Sequence, residues 1–333
     1  MTILGKYQLV KKIGQGSFGF IYKAKHIVTE EEVAIKIEAA DCKLPTLCRE
    51  SKILNYLKDV EGVPKLRYYG TQENKNFMVI DLLGHTLTNV IKMFNTEEDN
   101  YENYSYDSSS GTNSNCSTNI CSNVSSLCNI KINCLNSEYN ITKEECKQIQ
   151  EIIGLSLKSR KIINSTLQMI RLIHSIHKIG FVHRDIKPDN FLFGHCDTSS
   201  LYIIDFGLAT NYLTKERTHI INTGGKSMIG TARYASLYVH SGNVYSRRDD
   251  IISILYVSIY LMKGKLPWQG LKSNDNLTYH EIIENKKKEI TIQELCKGLP
   301  TEYEILLDYA YKLKFDEKPD YNYIKKMLYS MLD

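Results

Sequence analysis

The sequence predicts an α+β fold in two lobes, and three observations lead there. Residues 7–83 alternate apolar and polar side chains in short runs broken by turn residues, the pattern of half-buried strands. Residues 159–333 carry longer segments with helical spacing, joined by short polar connections. The chain has 333 residues and is 42% apolar, enough to build two lobes or one large two-part domain. Met1–Lys12 holds Lys6, Lys11 and Lys12 with no apolar run behind them, which is not a signal pattern. The most apolar run, Ile251–Met262, is 12 residues long, too short for a bilayer and suited to a buried helix. A soluble intracellular chain is expected, its nine cysteines reduced because they lack paired short spacings.

The first strands surround Gly14-Gln-Gly16-Ser17-Phe-Gly19-Phe-Ile21. A dinucleotide fingerprint of this spacing opens a helix, whereas Ile21–Lys25 continues as a strand. A glycine-rich hairpin results, with backbone N–H groups able to face an anion. Val33-Ala34-Ile35-Lys36 is an apolar strand ending in a lysine. Pro45 suits the first position of a helix, and Leu47, Leu54 and Leu57 mark its inward stripe. Glu50 falls on that stripe, and an inward carboxylate needs a partner. Lys36 is the natural one, with a local pairing to Arg49 or Lys52 as the alternative.

Asn95–Asn140 interrupts the pattern with 11 Asn and 10 Ser in 46 residues and no proline. Such a tract cannot bury enough apolar surface to offset its ordering entropy. Cys116, Cys121, Cys128, Cys134 and Cys146 are too widely spaced for a metal site. Asn103, Asn115, Asn123 and Asn140 open glycosylation-type triplets that read as chance products of the composition. Thr142–Ile153 is expected to form a short helix. Residues 95–151 hold 9 acidic and 3 basic side chains, so the basic excess of the chain lies elsewhere. A basic body suits anionic substrates, or simply presents solvated lysines.

His183-Arg184-Asp185-Ile-Lys187-Pro-Asp-Asn190 follows, then the strand Leu201–Ile204 ending in Asp205-Phe-Gly207. With the glycine-rich hairpin and Lys36, this series resembles the eukaryotic protein kinase fold over essentially the whole chain outside the insertion. The resemblance implies a small antiparallel-sheet lobe with one helix over 1–83. It implies a larger, mainly helical lobe over 84–94 and 157–333, with 95–156 as a largely disordered Asn/Ser-rich insertion. ATP and Mg²⁺ are the implied cofactors. Asp185 would accept the proton of the incoming hydroxyl, Lys187 would touch the phosphate, and Lys36 with Glu50 would complete the catalytic set. Asn190 and Asp205 would hold the metal. Ile13, Gly14, Gly16, Ser17, Gly19, Ile21, Ala34 and Lys36 would line the nucleotide site, with Ile80 as gatekeeper and Asp81 and Leu83 in the hinge. Lys187, two residues after the base, is the pattern of kinases acting on Ser and Thr. Ile251–Met262 becomes the central helix of the large lobe, and Asp250 the aspartate that braces the catalytic loop.

One departure decides the subfamily. The segment opened by Asp-Phe-Gly ordinarily closes with Ala-Pro-Glu, whose glutamate pairs with an arginine of the late helical lobe. Here the place reads Ala235-Ser236-Leu237, and Pro300–Asp333 contains no arginine. Losing one partner alone would strand a buried charge at about 3–5 kcal/mol, so the joint absence indicates a variant rather than decay. Gly230–Ser236, Ser246–Asp250, Leu266–Gly270 and Phe315–Tyr321, with Glu38, Gly62–Pro64 and Leu82–Gly84, are similar to the casein kinase 1 family.

That resemblance implies protein substrates with acidic or phosphorylated residues upstream of the target. Arg233, with Gln269 and Gly270, would grip the anion. Arg184 and Lys226 would form a second anion site that replaces activation-loop phosphorylation. The family's basic cluster after Trp-Gln-Gly-Leu-Lys is missing, since Lys272 precedes Ser-Asn-Asp-Asn, so weaker dependence on primed substrates is expected. The chain stops at the last catalytic-domain helix, so no tail-based autoinhibition is expected. Neither a nucleic-acid partner nor membrane insertion is expected, a monomer is the default, and the family works in cytoplasm and nucleus. The competing reading is a kinase-shaped scaffold with little turnover, and the insertion reads either as a docking element or as a tolerated loop.

Overall fold

Strand alternation builds the first lobe. In the computed structural model β1 (Thr2–Ile3), β2 (Tyr7–Gln15), β3 (Gly19–His26), β4 (Glu32–Ala39), β5 (Leu66–Gln72) and β6 (Lys75–Asp81) form one antiparallel sheet. Its order is β1-β2-β3-β4-β6-β5. Side chains of β4 divide between the two faces with a period of two. Val33 and Ile35 pack with Ala24, Phe77 and Val79 on one face. Ala34 faces the main core, beside Met78 and Ile80. Lys36 shares the face of Ala34, which turns it toward the second lobe.

The structure describes residues 2–15, 19–41, 46–96, 143–271 and 277–332, with backbone alone at 94–96 and 143–156. Gly16 and Ser17, Pro45, the Asn/Ser-rich tract from 97 to 142 with its cysteines, and 272–276 lie outside the described residues.

Helix α1 (Thr46–Tyr56) has no acidic residue in its first turn, and its N-terminus is satisfied from outside. The buried carboxylate of Glu38 on β4 accepts from Thr46 N (3.1 Å), Leu47 N (3.2 Å) and the Thr46 hydroxyl (3.2 Å). It also accepts from Asn76 Nδ2 of β6 at 3.1 Å. One carboxylate therefore ties α1 to two strands, and it complements the positive end of the helix.

The second lobe is mainly helical: α2 (Leu87–Thr96), α3 (Lys143–Ile179), α4 (Leu237–His240), α5 (Arg247–Lys263), α6 (Tyr279–Glu289), α7 (Ile292–Cys296), α8 (Glu302–Lys312) and α9 (Tyr321–Ser330). Two small sheets accompany them, β7 (Leu83–Thr86) with β9 (Phe191–Gly194) and β10 (Leu201–Ile203), and β8 (Phe181–Val182) with β11 (Thr210–Asn211). The helix expected at Thr142–Ile153 is, from Lys143, the beginning of α3, which runs on for 37 residues. No proline breaks it.

The apolar run Ile251–Met262 lies within α5, where every residue from Ile251 to Ile259 is buried. Burying an Ile or Leu completely stabilises by about 1.5–3 kcal/mol, so α5 is a principal source of stability for this lobe. Its polar members are paired: Ser258 links Thr166 of α3 (2.8 Å) to the Tyr303 hydroxyl of α8 (2.7 Å). Gly264, at φ 75°, ends the helix in the left-handed conformation.

Glu38→Ala removes the shared acceptor of donors on two elements, α1 and β6. We expect it to cost about 1–3 kcal/mol, read as a lower urea midpoint, with Glu38→Gln intermediate. An unchanged midpoint for Glu38→Ala would show that α1 is anchored by packing alone.

Candidate active site

The cleft begins at the hairpin of β2 and β3, whose last described pairs are Gly14↔Ile21 and Gln15↔Phe20. The strand expected after Gly19 is present. A Cβ on Gly19 would fall 1.9 Å from Ile37 O, so close approach of β4 already demands glycine there. At Gly14 a Cβ would meet only Ile21 side-chain atoms, the nearest at 3.5 Å, an ordinary contact. Ile13 is exposed, while Ile21 packs on the main core with Ala34 and Ile80. The Asp81 carboxylate points elsewhere, accepting from Arg67 Nε (2.7 Å) and Lys65 N (2.9 Å). That leaves the hinge at Asp81–Leu83 to act through its backbone.

Lys36 Nζ lies 2.6 Å from Glu50 Oε1, which also accepts from Phe206 N at 3.3 Å. The alternatives, Arg49 and Lys52, do not compete for Glu50: Arg49 Nη2 donates to Ala209 O at 2.7 Å. Burial disfavours the Lys36 ammonium, but the carboxylates of Glu50 and Asp205 more than offset this and hold it above its ordinary value.

The His183–Asn190 loop is held from α5. Asp250, fully buried, accepts from His183 N (2.8 Å), Arg184 N (3.1 Å) and His177 Nε2 (2.9 Å). Burial works against its charge, yet these donors hold its carboxyl below the usual range. Arg184 sits at φ 69°, unusual for a residue with a Cβ. Its Nε donates to Leu208 O at 2.6 Å. Arg184 and Arg49, from opposite lobes, thus take the consecutive carbonyls of Leu208 and Ala209. Arg49, not Lys226, is the cation whose charge acts on Arg184. Lys226 is exposed, and among the described residues only its backbone is tied, to Gly242.

Asp185 receives Lys187 Nζ at 2.6 Å on Oδ2 and the Thr231 hydroxyl at 2.7 Å on Oδ1. Burial raises its pKa, but Lys187 and Thr231 outweigh that and hold it below the ordinary value. It is therefore an ionised acceptor at neutral pH. Asn190 spends its NH₂ on Asp185 O (2.9 Å) and Oδ2 (3.3 Å). This directs its carbonyl oxygen away from that carboxylate. Asp205, at φ 66°, begins the 3₁₀ turn Phe206–Leu208. An amide oxygen and a carboxylate are hard donors that suit Mg²⁺ sharing phosphate oxygens, as does the paired lysine for ATP. The donor set fits both groups.

The variant loop closes the site. A Cβ at Gly230, φ 88°, would come within 2.3 Å of Arg184 O, so only glycine lets Thr231 reach Asp185. Ser236, in place of the usual proline, donates to Asp249 Oδ1 (2.5 Å) and accepts from Val239 N (3.2 Å). Trp268, buried in the Leu266–Gly270 turn, donates to Arg233 O at 2.7 Å, which brings that turn to Arg233. Gln269 Oε1 accepts from Leu266 N (2.6 Å), and Gly270 has φ 70°. Arg233 Nε is buried without a partner. A buried arginine does lie under the loop, though it comes from α5: Arg248 stacks on Tyr238 at 3.4 Å and donates to Leu313 O at 2.9 Å.

Thr231, Arg248 and Asp249 were not singled out from the sequence, although Gly-Thr-Ala and Ser-Arg-Arg-Asp-Asp contain them, and Arg49 was considered there only as a local partner of Glu50. Asp249 carries a measurable consequence. Burial lifts its carboxyl to about 6, against about 4 in an unfolded chain. Between those values the folded protein holds a proton that the unfolded chain has released. Stability from this group therefore falls as pH rises from about 4 to about 6, by roughly 3 kcal/mol, and is level above. Urea unfolding across that window should show wild type losing stability relative to Asp249→Asn as pH rises. Parallel profiles would mean an ordinary carboxylate.

No helix among the described residues is long and apolar enough to cross a membrane. A family model described as the protein kinase domain matches residues 91–332, which covers Asp185, Asn190, Asp205, Thr231, Arg233 and Asp250. With more than half its length matched, the chain belongs to the protein kinase domain family, phosphotransferases that use ATP and Mg²⁺ on protein substrates.

Proposed function

We propose that this chain is a casein kinase 1-like Ser/Thr protein kinase that prefers acidic or already phosphorylated substrates and is active without activation-loop phosphorylation. The observation that carries the phosphotransfer reading is Asp185, ionised between Lys187 and Thr231. ATP with Mg²⁺ supplies the phosphoryl group and the cationic charge that steadies it. Asp185 takes the proton of the incoming hydroxyl at its carboxylate. Lys187, beside it, offers its ammonium to charge developing on the transferred group. Lys36, held by Glu50, would meet the phosphates, and Asn190 and Asp205 would supply oxygen ligands to the cation. By the kinase resemblance, Gly14, Gly16, Ser17 and Gly19 would belong to the segment that covers the phosphates. Ile13, Ile21, Ala34 and Ile80 would pack on the base, and backbone groups of Asp81 and Leu83 would bond its edge.

The substrate preference rests on Arg233. Its guanidinium, half-buried beside the rings of Tyr234 and Tyr260, is the kind of group that grips a phosphate bidentately. Gln269 and Gly270 adjoin it through Trp268, while Arg184 and Lys226 remain a proposed second anion site. Independence from phosphorylation is supported by Arg49 and Arg184, which hold Leu208 and Ala209 by their carbonyls with no phosphate involved.

The test is transfer from labelled ATP·Mg²⁺ to two matched peptides, one with phosphoserine and one with serine three residues before the target serine. Asp205→Asn serves as the blank. We expect transfer above the blank, favouring the primed peptide, and loss of that preference in Arg233→Ala. Equal transfer to both peptides would place specificity elsewhere, and none with ATP bound would favour a scaffold.

A further inference from the structure

Lys286-Lys287-Lys288 closes helix α6 and reads in sequence as a solvated basic turn. Two of the three behave so: Lys286 pairs with Glu289 (3.1 Å) and Lys288 with Glu284 (2.7 Å). Lys287 is 3% exposed. It makes no ion pair with a carboxylate among the described residues. Its Nζ donates to Ala232 O at 2.9 Å and Ala235 O at 2.5 Å, and lies 3.3 Å from His240 Nε2. The rings of Trp268 and Tyr256 stand 4.9 and 5.0 Å away. Burial pushes the amine well below the usual lysine range. Burying such a group without a counter-charge is costly, and only carbonyl dipoles and ring faces offset it.

Those contacts converge on one short segment. Ala232 O also takes the His240 ring (3.2 Å), and Arg233 O takes the Trp268 indole. Thr231 O receives Tyr234 N (3.0 Å) and Ala235 N (3.2 Å). The segment from Thr231, on Asp185, to Ser236, on Asp249, has its carbonyls at 232, 233 and 235 taken by side chains from outside. We propose that Lys287 is a positioning residue for the protein substrate: from α6 it holds the loop Ala232–Ala235, with Trp268 as second tether, and so aims Arg233. This does for the loop's end what a glutamate–arginine pair does where Ala-Pro-Glu is present. The inference rests on the reading that this loop faces the substrate.

The test is steady-state kinetics of the full chain with the primed and unprimed peptides, for wild type, Lys287→Met, Lys287→Arg and Trp268→Phe. A misplaced binding loop weakens peptide binding by about tenfold to a hundredfold. Lys287→Met should therefore raise peptide KM by about that factor, with ATP KM within about twofold of wild type. Trp268→Phe should act in the same direction, and the double variant should add little. A cavity of about 180 Å³ beside Lys287, lined by Leu237, Tyr256, Trp268 and Tyr311, leaves room for a guanidinium. Lys287→Arg should thus recover part of the peptide KM.

Unchanged peptide KM in Lys287→Met would overturn the proposal. So would a joint loss of peptide binding, ATP binding and unfolding midpoint that Lys287→Arg does not recover, the mark of a merely structural lysine. If wild type shows no primed preference, the phosphate reading fails alone, because Lys287 is still judged on the unprimed peptide.

Discussion

A single buried carboxylate, that of Asp250, holds the geometry on which the rest depends. The His183–Asn190 loop must turn sharply at Arg184, whose left-handed backbone is strained for a residue with a Cβ. Two consecutive N–H groups, of His183 and Arg184, are thereby turned into the protein interior. Asp250 meets both, and His177 completes its coordination. The carboxylate is rigid because α5 is buried along its length and locked to α3 and α8 by hydroxyl contacts. Core packing is in this way converted into the position of Asp185, the next residue along the chain.

The neighbouring aspartate does a related task for the opposite wall of the cleft. Asp249 accepts from Ser236 and from Ser246 N, fixing the far end of the Thr231–Ser236 loop. Both acids stand in the first turn of α5, where the helix dipole favours negative charge. Their environments separate them: Asp250 has three donors and stays ionised, whereas burial dominates at Asp249. One helix terminus therefore registers two loops against each other, and Gly230 and Thr231 close the remaining distance to Asp185.

Much of this was legible because local pattern and global fold agree. Val33–Lys36 alternates as a strand must, which alone decides that Lys36 faces the cleft. Glu50 follows Leu47 by three residues, so a helix presents both inward. Ile251–Met262 is too uniformly apolar for anything but a buried helix. What was not legible depends on tertiary approach. Gly19 reads as a phosphate-loop glycine, yet the carbonyl of Ile37 excludes a side chain there in any case. Lys287 is indistinguishable in sequence from Lys286 and Lys288, because nothing local says which face of α6 meets the loop. Arg49 reads as a surface residue of α1 until Ala209, 160 positions away, arrives beside it. The full length of α3 was also hidden, since its first residues read as a short helix of their own at the end of the polar tract.

The replacement of Ala-Pro-Glu can now be read as a change in the kind of bond used. A buried glutamate–arginine bridge desolvates two full charges, and its attraction must recover that cost. Here the loop's end is held by a hydroxyl on a carboxylate, an indole on a carbonyl and one amine on two carbonyls. The arginine beneath the loop, Arg248, is met by an aromatic face and a carbonyl, without a carboxylate partner at ion-pair distance among the described residues. Several directional ties to neutral backbone fix orientation as well as position, because each carbonyl accepts along a restricted direction. A loop tethered at the carbonyls of Ala232, Arg233 and Ala235 is ordered by contacts within the fold.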